Sequence, residues 1–303
     1  MSPAIRILRA GPSATIQDRG RFGALRHGIS ASGPMDRGAF MRAGAMLEHS
    51  GDEAIEFTQA GIGFVIEGDA VRAAFDGGAF SLRLNGVPQR WPATLSLATG
   101  DHVEITPGPA GNYGYVRFDH AIDVPALIGS RATNLIAGLG GLEGRALRAG
   151  DVLPLVPAAS HPAPHRSPAP PRDAGPIRFI WGLHADLFSS AVRQSFLGAE
   201  FVVSPRLDRM GVRLTDTAGV FATAPILSLV SDAVVAGDIQ ILGDGTPIVL
   251  MRDHQPTGGY PRIATVISAD LDRFAQLRPG TPLAFAPVTL HKAREIFLAS
   301  RAV

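Results

Sequence analysis

Residues 157–176 read Pro-Ala-Ala-Ser-His-Pro-Ala-Pro-His-Arg-Ser-Pro-Ala-Pro-Pro-Arg-Asp-Ala-Gly-Pro. Proline has no backbone N–H and a fixed φ, so neither a helix nor a sheet ladder can run through such a stretch. It should run extended as a linker. The chain therefore has to fold as two halves, 1–156 and 177–303, and 303 residues suffice for two domains of ordinary size. His161 and His165 lie in the linker. Two histidines can suggest a metal, but in a proline-broken segment they read as solvated.

Both halves are built from short apolar runs separated by turn residues. Examples are Gly63–Ile66, Phe80–Leu84, His102–Ile105 and Ile177–Ile180. Their length and alternation favour strands, and 35 glycines and 24 prolines supply the turns. Helices are few. One is expected over Pro34–His49, where Phe40, Ala43 and Leu47 share a face and Pro34 suits the first turn. Others are expected over Ala185–Phe196 and Leu271–Leu277. The class is mainly β with a few helices, arranged as two β-barrel-like domains.

Composition removes several functions. The formal charge is +1, so no strong field draws the chain to nucleic acid or to a membrane surface. No cysteine is present, which excludes disulfides, thiolate nucleophiles and cysteine-based zinc sites. No apolar run reaches the roughly 18 residues of a membrane span, and Met1–Ala10 has no secretory pattern. A cytoplasmic location is the default expectation. Lys292 is the sole lysine. There is accordingly no Gly-Lys-Ser/Thr phosphate loop, and Leu-His-Lys-Ala is unlike the Met-Lys-Met of a biotin carrier. No His-Glu-x-x-His, no Gly-x-Ser-x-Gly and no Asp-x-Asp metal loop occurs, so no metal site or serine triad is expected.

Chemistry concentrates in loops. Asp253-His254-Gln255-Pro256-Thr257-Gly258-Gly259-Tyr260-Pro261 lies between the strand-like runs Pro247–Met251 and Ile263–Ile267. Paired glycines can expose backbone N–H groups, and Gln255, Thr257 and Tyr260 add donors and acceptors. Such a loop can grip a carboxylate, phosphate or ureido oxygen, although Gly-Gly between strands is also an ordinary turn. Ser231 and Gln240 suit the lining of the same pocket. Near the N-terminus, Gln17-Asp18-Arg19-Gly20-Arg21 sets an amide, a carboxylate and two guanidiniums around a glycine. Arg21 offers a fork for an anion, yet an Asp18–Arg21 pair closing a turn fits equally. Asp36 is either a base or a carboxylate favoured by the helix dipole. In Gly129-Ser130-Arg131-Ala132-Thr133-Asn134, Arg131 is the candidate anion contact, and an ordinary barrel loop stays open. Gly138-x-Gly140 misses the dinucleotide fingerprint and lacks a βαβ context. Arg209 either pairs with Asp208 or reaches the site, and His254 is assigned to the surface.

Five motifs occur here in the order of one family: Gln17-Asp18-x-Gly20-Arg21, Ser32-Gly33-Pro34-Met35-Asp36, Gly140-Gly141-Leu142-Glu143-Gly144-Arg145, Asp208-Arg209-Met210-Gly211 and Thr257-Gly258-Gly259-Tyr260-Pro261. From about Gly11 to Ala293 the chain resembles the C subunit of 5-oxoprolinase, also called allophanate hydrolase subunit 2, a KipA-like or biotin-dependent carboxyltransferase family. The resemblance implies two cyclophilin-like β-barrel domains. It implies Asp18 and Asp36 as catalytic groups. Gln17, Arg21, Arg131, Gln240, Gln255, Thr257, Gly258, Gly259 and Tyr260 would contact a small amide in a crevice between the halves.

The implied function is ATP-dependent opening of 5-oxoproline to glutamate, performed with the A subunit and a KipI-like B subunit of that enzyme, with ATP used by the complex. One alternative is carboxyl transfer to urea from carboxybiotin carried on another chain. Another is a non-catalytic regulator of a KipI-like partner, and a third is a paralogue with a changed substrate. The chain departs from the family pattern in several places. Ala43-Gly44 stands for Ala-Asn, His49-Ser50 for Gly-Asn, and Asp119-His120-Ala121 lies where glycines are common. Trp181–His184 stands for Pro-Gly-Pro, and Pro256 for a threonine.

Overall fold

The computed structural model describes residues 2–47, 49–158, 175–222 and 228–301. The chain divides into two compact units, Met1–Gly23 with Ala31–Ala169, and Ala24–Ser30 with Pro170–Val303. Most of the proline-rich stretch, with His161 and His165, lies outside the described residues. The protein is mostly β, with four helices among the described residues. None of these is long and apolar enough to cross a membrane.

The first unit is a ten-stranded sheet whose spine is a pair of long antiparallel strands, Val71–Leu84 and His102–Phe118. Their register runs from Ala73 opposite Phe118 to Leu84 opposite Val103, with irregularities beside Ala79. Alternation along these strands sends Phe75, Val103, Ile105 and Phe118 into a core shared with Ile5, Ile7, Phe57 and Phe64. Helix Arg37–Ala45 packs on the spine and buries Phe40 and Ala43. It is shorter than the expected Pro34–His49. Asp36 starts it as the N-cap, its carboxylate accepting from the Ala39 N–H at 2.8 Å.

The second unit is an eight-stranded, nearly closed sheet. At its centre lie Gly211–Asp216, Pro247–Leu250, Asp238–Ile241 and Arg262–Val266. An aromatic cluster fills it, with Phe196 stacked on Phe285 at 5.2 Å and edge-on to Phe179 at 5.4 Å. The expected Ala185–Phe196 helix is two pieces, a short 3-10 turn at Ala185–Leu187 and a helix at Ser190–Gly198. Ser189 separates them because its hydroxyl caps the Val192 N–H. The other helices are Ser268–Ala275 and Leu290–Arg301. A two-stranded ribbon, Asp232–Ala233 with Thr257–Gly258, completes the unit.

Asp270 ties the last structural layer to the sheet. Its buried carboxylate accepts from the Arg178 N–H at 2.8 Å and pairs with the Arg178 and Arg273 guanidiniums. Burial opposes its charge, but hydrogen bonds from Arg178 and the two positive charges outweigh that and hold its pKa below the usual value. Asp270→Asn should cost about 2 kcal/mol, less than a fully buried pair because Arg178 is partly exposed. Thermal melting should then fall by roughly 4–8 °C. The depressed pKa means the contribution is present above the unfolded carboxylate's pKa of about 4 and is lost as pH falls below it. Wild-type and variant melting temperatures should therefore converge on acidification below about pH 4.

Candidate functional site

The residues singled out from sequence fall into two sets, one in each unit. In the first unit the strand Thr15–Gln17 delivers Gln17 into the interior. Its Nε2 donates to Thr15 Oγ1 at 3.0 Å and to the Thr133 carbonyl at 2.9 Å, and its Oε1 accepts from the Gly33 N–H at 3.1 Å. Asp18 accepts from the Gly20 N–H, the Ser130 hydroxyl and the Arg131 N–H at 2.6–2.8 Å. Buried Arg21 donates to the Ala132 and Leu127 carbonyls. Arg131 turns to Glu53 at 2.9 Å and to the Val124 carbonyl. Burial raises the Glu53 pKa, and the Arg131 charge opposes that rise. The early motif is thus a clasp on the 127–134 loop. No Asp18–Arg21 pair forms, because each side chain is turned to that loop.

Asp36 belongs to a second buried group. Its N–H donates to the Tyr115 hydroxyl at 2.8 Å, and that hydroxyl donates to Glu56 Oε2 at 2.7 Å. The same Glu56 oxygen accepts from the Met35 N–H at 2.8 Å. Burial, then the Glu56 and Asp36 charges, push the Tyr115 pKa well up, so the phenol keeps its proton and works as a donor. Beside this group lies Arg117, almost wholly buried. It donates to the Phe40 and Gly51 carbonyls and the Ser50 hydroxyl, and its guanidinium lies 4.5 Å from the centroid of the Phe40 ring. Desolvation lowers its pKa to about 10. Helix residue Gly44 makes the room, since a Cβ there would overlap the guanidinium. Gly44 and Ser50 therefore adjoin one buried cation. His120 and Ala121 pack on Gly51, the residue whose carbonyl that cation holds.

In the second unit the Gly-Gly loop is held from several sides. Thr257–Gly258 pairs with Asp232–Ala233, and the Gly259 carbonyl accepts from the Leu229 N–H at 2.8 Å. Arg262, just after the loop, donates to the Ala233 carbonyl and to Asp232, each at 2.6 Å. The Arg262 N–H donates to His184 Nδ1 at 3.2 Å, so a neutral His184 carries its proton on Nε2. Burial and the Arg262 charge lower the His184 pKa and favour that neutral form. Thr257, Tyr260 and Ser231 are exposed at the rim.

Beneath the loop lie Gln240, fully buried on Asp238–Ile241, and half-buried Gln255. Gln255 Nε2 donates to Gln240 Oε1 at 3.3 Å. Among the described residues, Gln240 Nε2 and Gln255 Oε1 are buried without a hydrogen-bond partner. Gly258 is the lid over them: a Cβ there would sit 2.5 Å from Gln240 Nε2.

Arg209 turns away from Asp208 to the first residue of the Gly-Gly loop. It forms a buried two-point ion pair with Asp253 at 2.8 and 3.1 Å, while Asp208 closes a turn onto the Met210 and Gly211 N–H groups. His254 is buried rather than on the surface, its Nδ1 2.6 Å from the Gln255 carbonyl oxygen. Sequence reading also missed Ser130 and Thr133 as partners of the early motif, and Glu56 and Tyr115 beside Asp36. The Ser130–Asp18 bond joins residues 112 apart, and no local pattern announces such a pairing.

Comparison with known proteins accords with this architecture. The family model "Carboxyltransferase domain, subdomain A and B" matches residues 27–287. The chain is 34% identical over 297 residues to the 5-oxoprolinase C subunit of Haemophilus influenzae, covering 96% of this chain and 94% of that protein. It is 32% identical over 292 residues to the Escherichia coli K12 protein of the same name, covering 95% and 93%. The crystal structure of the Kluyveromyces lactis urea carboxylase superposes with a TM-score of 0.88 at 26% identity, over all of this chain and 29% of that one. The chain belongs to the carboxyltransferase-domain family that includes the C subunit of 5-oxoprolinase.

Proposed function

We propose that this chain is the C subunit of an ATP-dependent 5-oxoprolinase, which opens the cyclic amide of 5-oxoproline to glutamate. One observation carries the choice. The chain is 32–34% identical to two 5-oxoprolinase C subunits, against 26% to a urea carboxylase. The amide-lined floor under Gly258 supports a small amide as the ligand. As the ring opens, charge grows on the carbonyl oxygen, and fixed donors stabilise it more than water would.

In this reading Gln240, Gln255, Thr257, Gly258, Gly259 and Tyr260 hold the substrate. Gln17, Asp18, Arg21 and Arg131 support the loop they clasp, and Asp36 holds its helix. ATP is used by partner chains resembling the A and B subunits of 5-oxoprolinase. Lys292, the only lysine, is exposed and paired with Glu295, so it offers no phosphate cradle. Carboxyl transfer is the second reading, favoured by the name of the matching family model. Biotin would then arrive on another chain, because the Leu-His-Lys-Ala around Lys292 is no biotin attachment sequence.

With the three purified subunits and ATP, 5-oxoproline should yield glutamate, and omission of this chain should abolish it. Absence of glutamate from the complete set, with carboxyl transfer to urea found instead, would replace the first reading by the second. Gly258→Ala, which crowds Gln240, should lower kcat/KM at least roughly tenfold, about 1.4 kcal/mol.

A further inference from the structure

The Gly-Gly loop runs into Arg262, and His184 holds that residue twice. The His184 N–H donates to the Arg262 carbonyl and the Arg262 N–H donates to His184 Nδ1, each at 3.2 Å. The strand Ile177–Trp181 pairs with Arg262–Val266 only as far as Trp181 opposite Ala264. Beyond that point the chain enters the 3-10 turn Ala185–Leu187, and the imidazole supplies an acceptor where no strand carbonyl follows. Gly182 allows the close approach, since a Cβ there would lie 2.5 Å from the Arg262 carbonyl oxygen. From Arg262 the hold passes to the loop. Its guanidinium bonds the Ala233 carbonyl and Asp232, and those two residues pair with Thr257 and Gly258.

Of the acceptors in this frame, the imidazole is the one that becomes a donor in mild acid. Carbonyl oxygens stay acceptors, and Asp232 stays ionised because the Ala233 N–H and Arg262 hold its pKa below the usual value. A protonated imidazole carries a hydrogen on both nitrogens, so an Nδ1–H would face the Arg262 N–H. The Arg262 guanidinium adds a like charge, while Asp232 and Asp238 set opposite charge near the ring. Asp186, on the same turn, is paired with Arg193. His254 donates through Nδ1 to the Gln255 carbonyl, so a proton on its Nε2 leaves that bond in place. Burial first, then Arg262, keep the His184 pKa below the ordinary 6.5 against the two carboxylates. A depressed histidine pKa gives a contribution that is present above about 6.5 and lost as pH falls through the folded value. We propose that neutral His184 is a positioning residue for the Gly-Gly loop, and that its protonation frees the Arg262 end and lets the loop open. This rests on the loop being the ligand site and adds a control on it: ligand affinity should fall in mild acid before the fold is lost.

Amide hydrogen exchange on the full-length chain tests this without substrate. From about pH 7.5 to about pH 5.5, exchange at the Gly258, Gly259 and Arg262 N–H groups, corrected for the intrinsic rate, should quicken at least roughly tenfold relative to the strand Pro247–Leu250. Nitrogen-15 shifts of labelled histidine should show His184 as the Nε2–H tautomer at about pH 7.5 and charged only below about pH 6.5. His184→Asn, whose Oδ1 can accept but not ionise, should show no such quickening, and His184→Leu should exchange fast at both pH values. In the assembled enzyme the KM for 5-oxoproline should rise over the same pH range in wild type and not in His184→Asn. An Nδ1–H tautomer, a flat wild-type exchange ratio, or a pH response shared by His184→Asn overturns the proposal. The wild-type measurements stand if a variant fails to fold. Glutamate release with no pH effect on the loop removes the role of His184 and leaves the oxoprolinase reading, whereas the loop effect without release does the reverse.

Discussion

The structure depends on one constraint: a polar group taken out of water must find a partner. In the first unit the constraint is met by cross-chain ties. Gln17 uses its donor and its acceptor inside the protein, and Asp18 gathers one donor from nearby Gly20 and two from the distant Ser130–Arg131 segment. Those bonds hang the 127–134 loop on the strand Thr15–Gln17 and the turn that follows it. In the second unit the same requirement is met almost everywhere, through Arg209–Asp253 and Arg262–Asp232 among others. The amides under Gly258 are among the departures from it, beside the Asp216 carboxylate in the same unit.

Much of the architecture was legible in sequence because it rests on local rules. Short alternating runs gave strands, and Gly63–Ile66, Phe80–Leu84, His102–Ile105 and Ile177–Ile180 all lie in strands. Helix ends were less legible, since Asp36 and Ser189 decide them by single capping bonds. Partner choice was not legible at all. Arg209 sits next to Asp208 in sequence yet bonds Asp253, because Asp208 is already spent on its own turn. The grouping of Ala24–Ser30 with the second unit is likewise invisible to any periodicity argument. For the candidate site, the Gly-Gly loop was visible as a motif. That Gln240 and Gln255 meet beneath it follows only from the register between Asp238–Ile241 and its neighbours.

Arginine does most of the tying, and its chemistry explains the near absence of lysine. Arg178, Arg42 and Arg145 each grip a carboxylate with two nitrogens. A planar fork fixes direction as well as distance, which a lysine ammonium cannot do. Many of these carboxylates are buried, so the fork also supplies the hydrogen bonds that their desolvation demands.

The pocket around Arg117 has a consequence for inheritance. Gly44 leaves the hole, Arg117 fills it, and Ser50 with Gly51 receives its protons. None of these positions can drift alone: a larger residue at 44 evicts the guanidinium, and a shorter one at 117 strands an empty chamber under the helix. Substitution at either position should therefore be tolerated only alongside a compensating change at the other, so that 44 and 117 behave as one inherited unit.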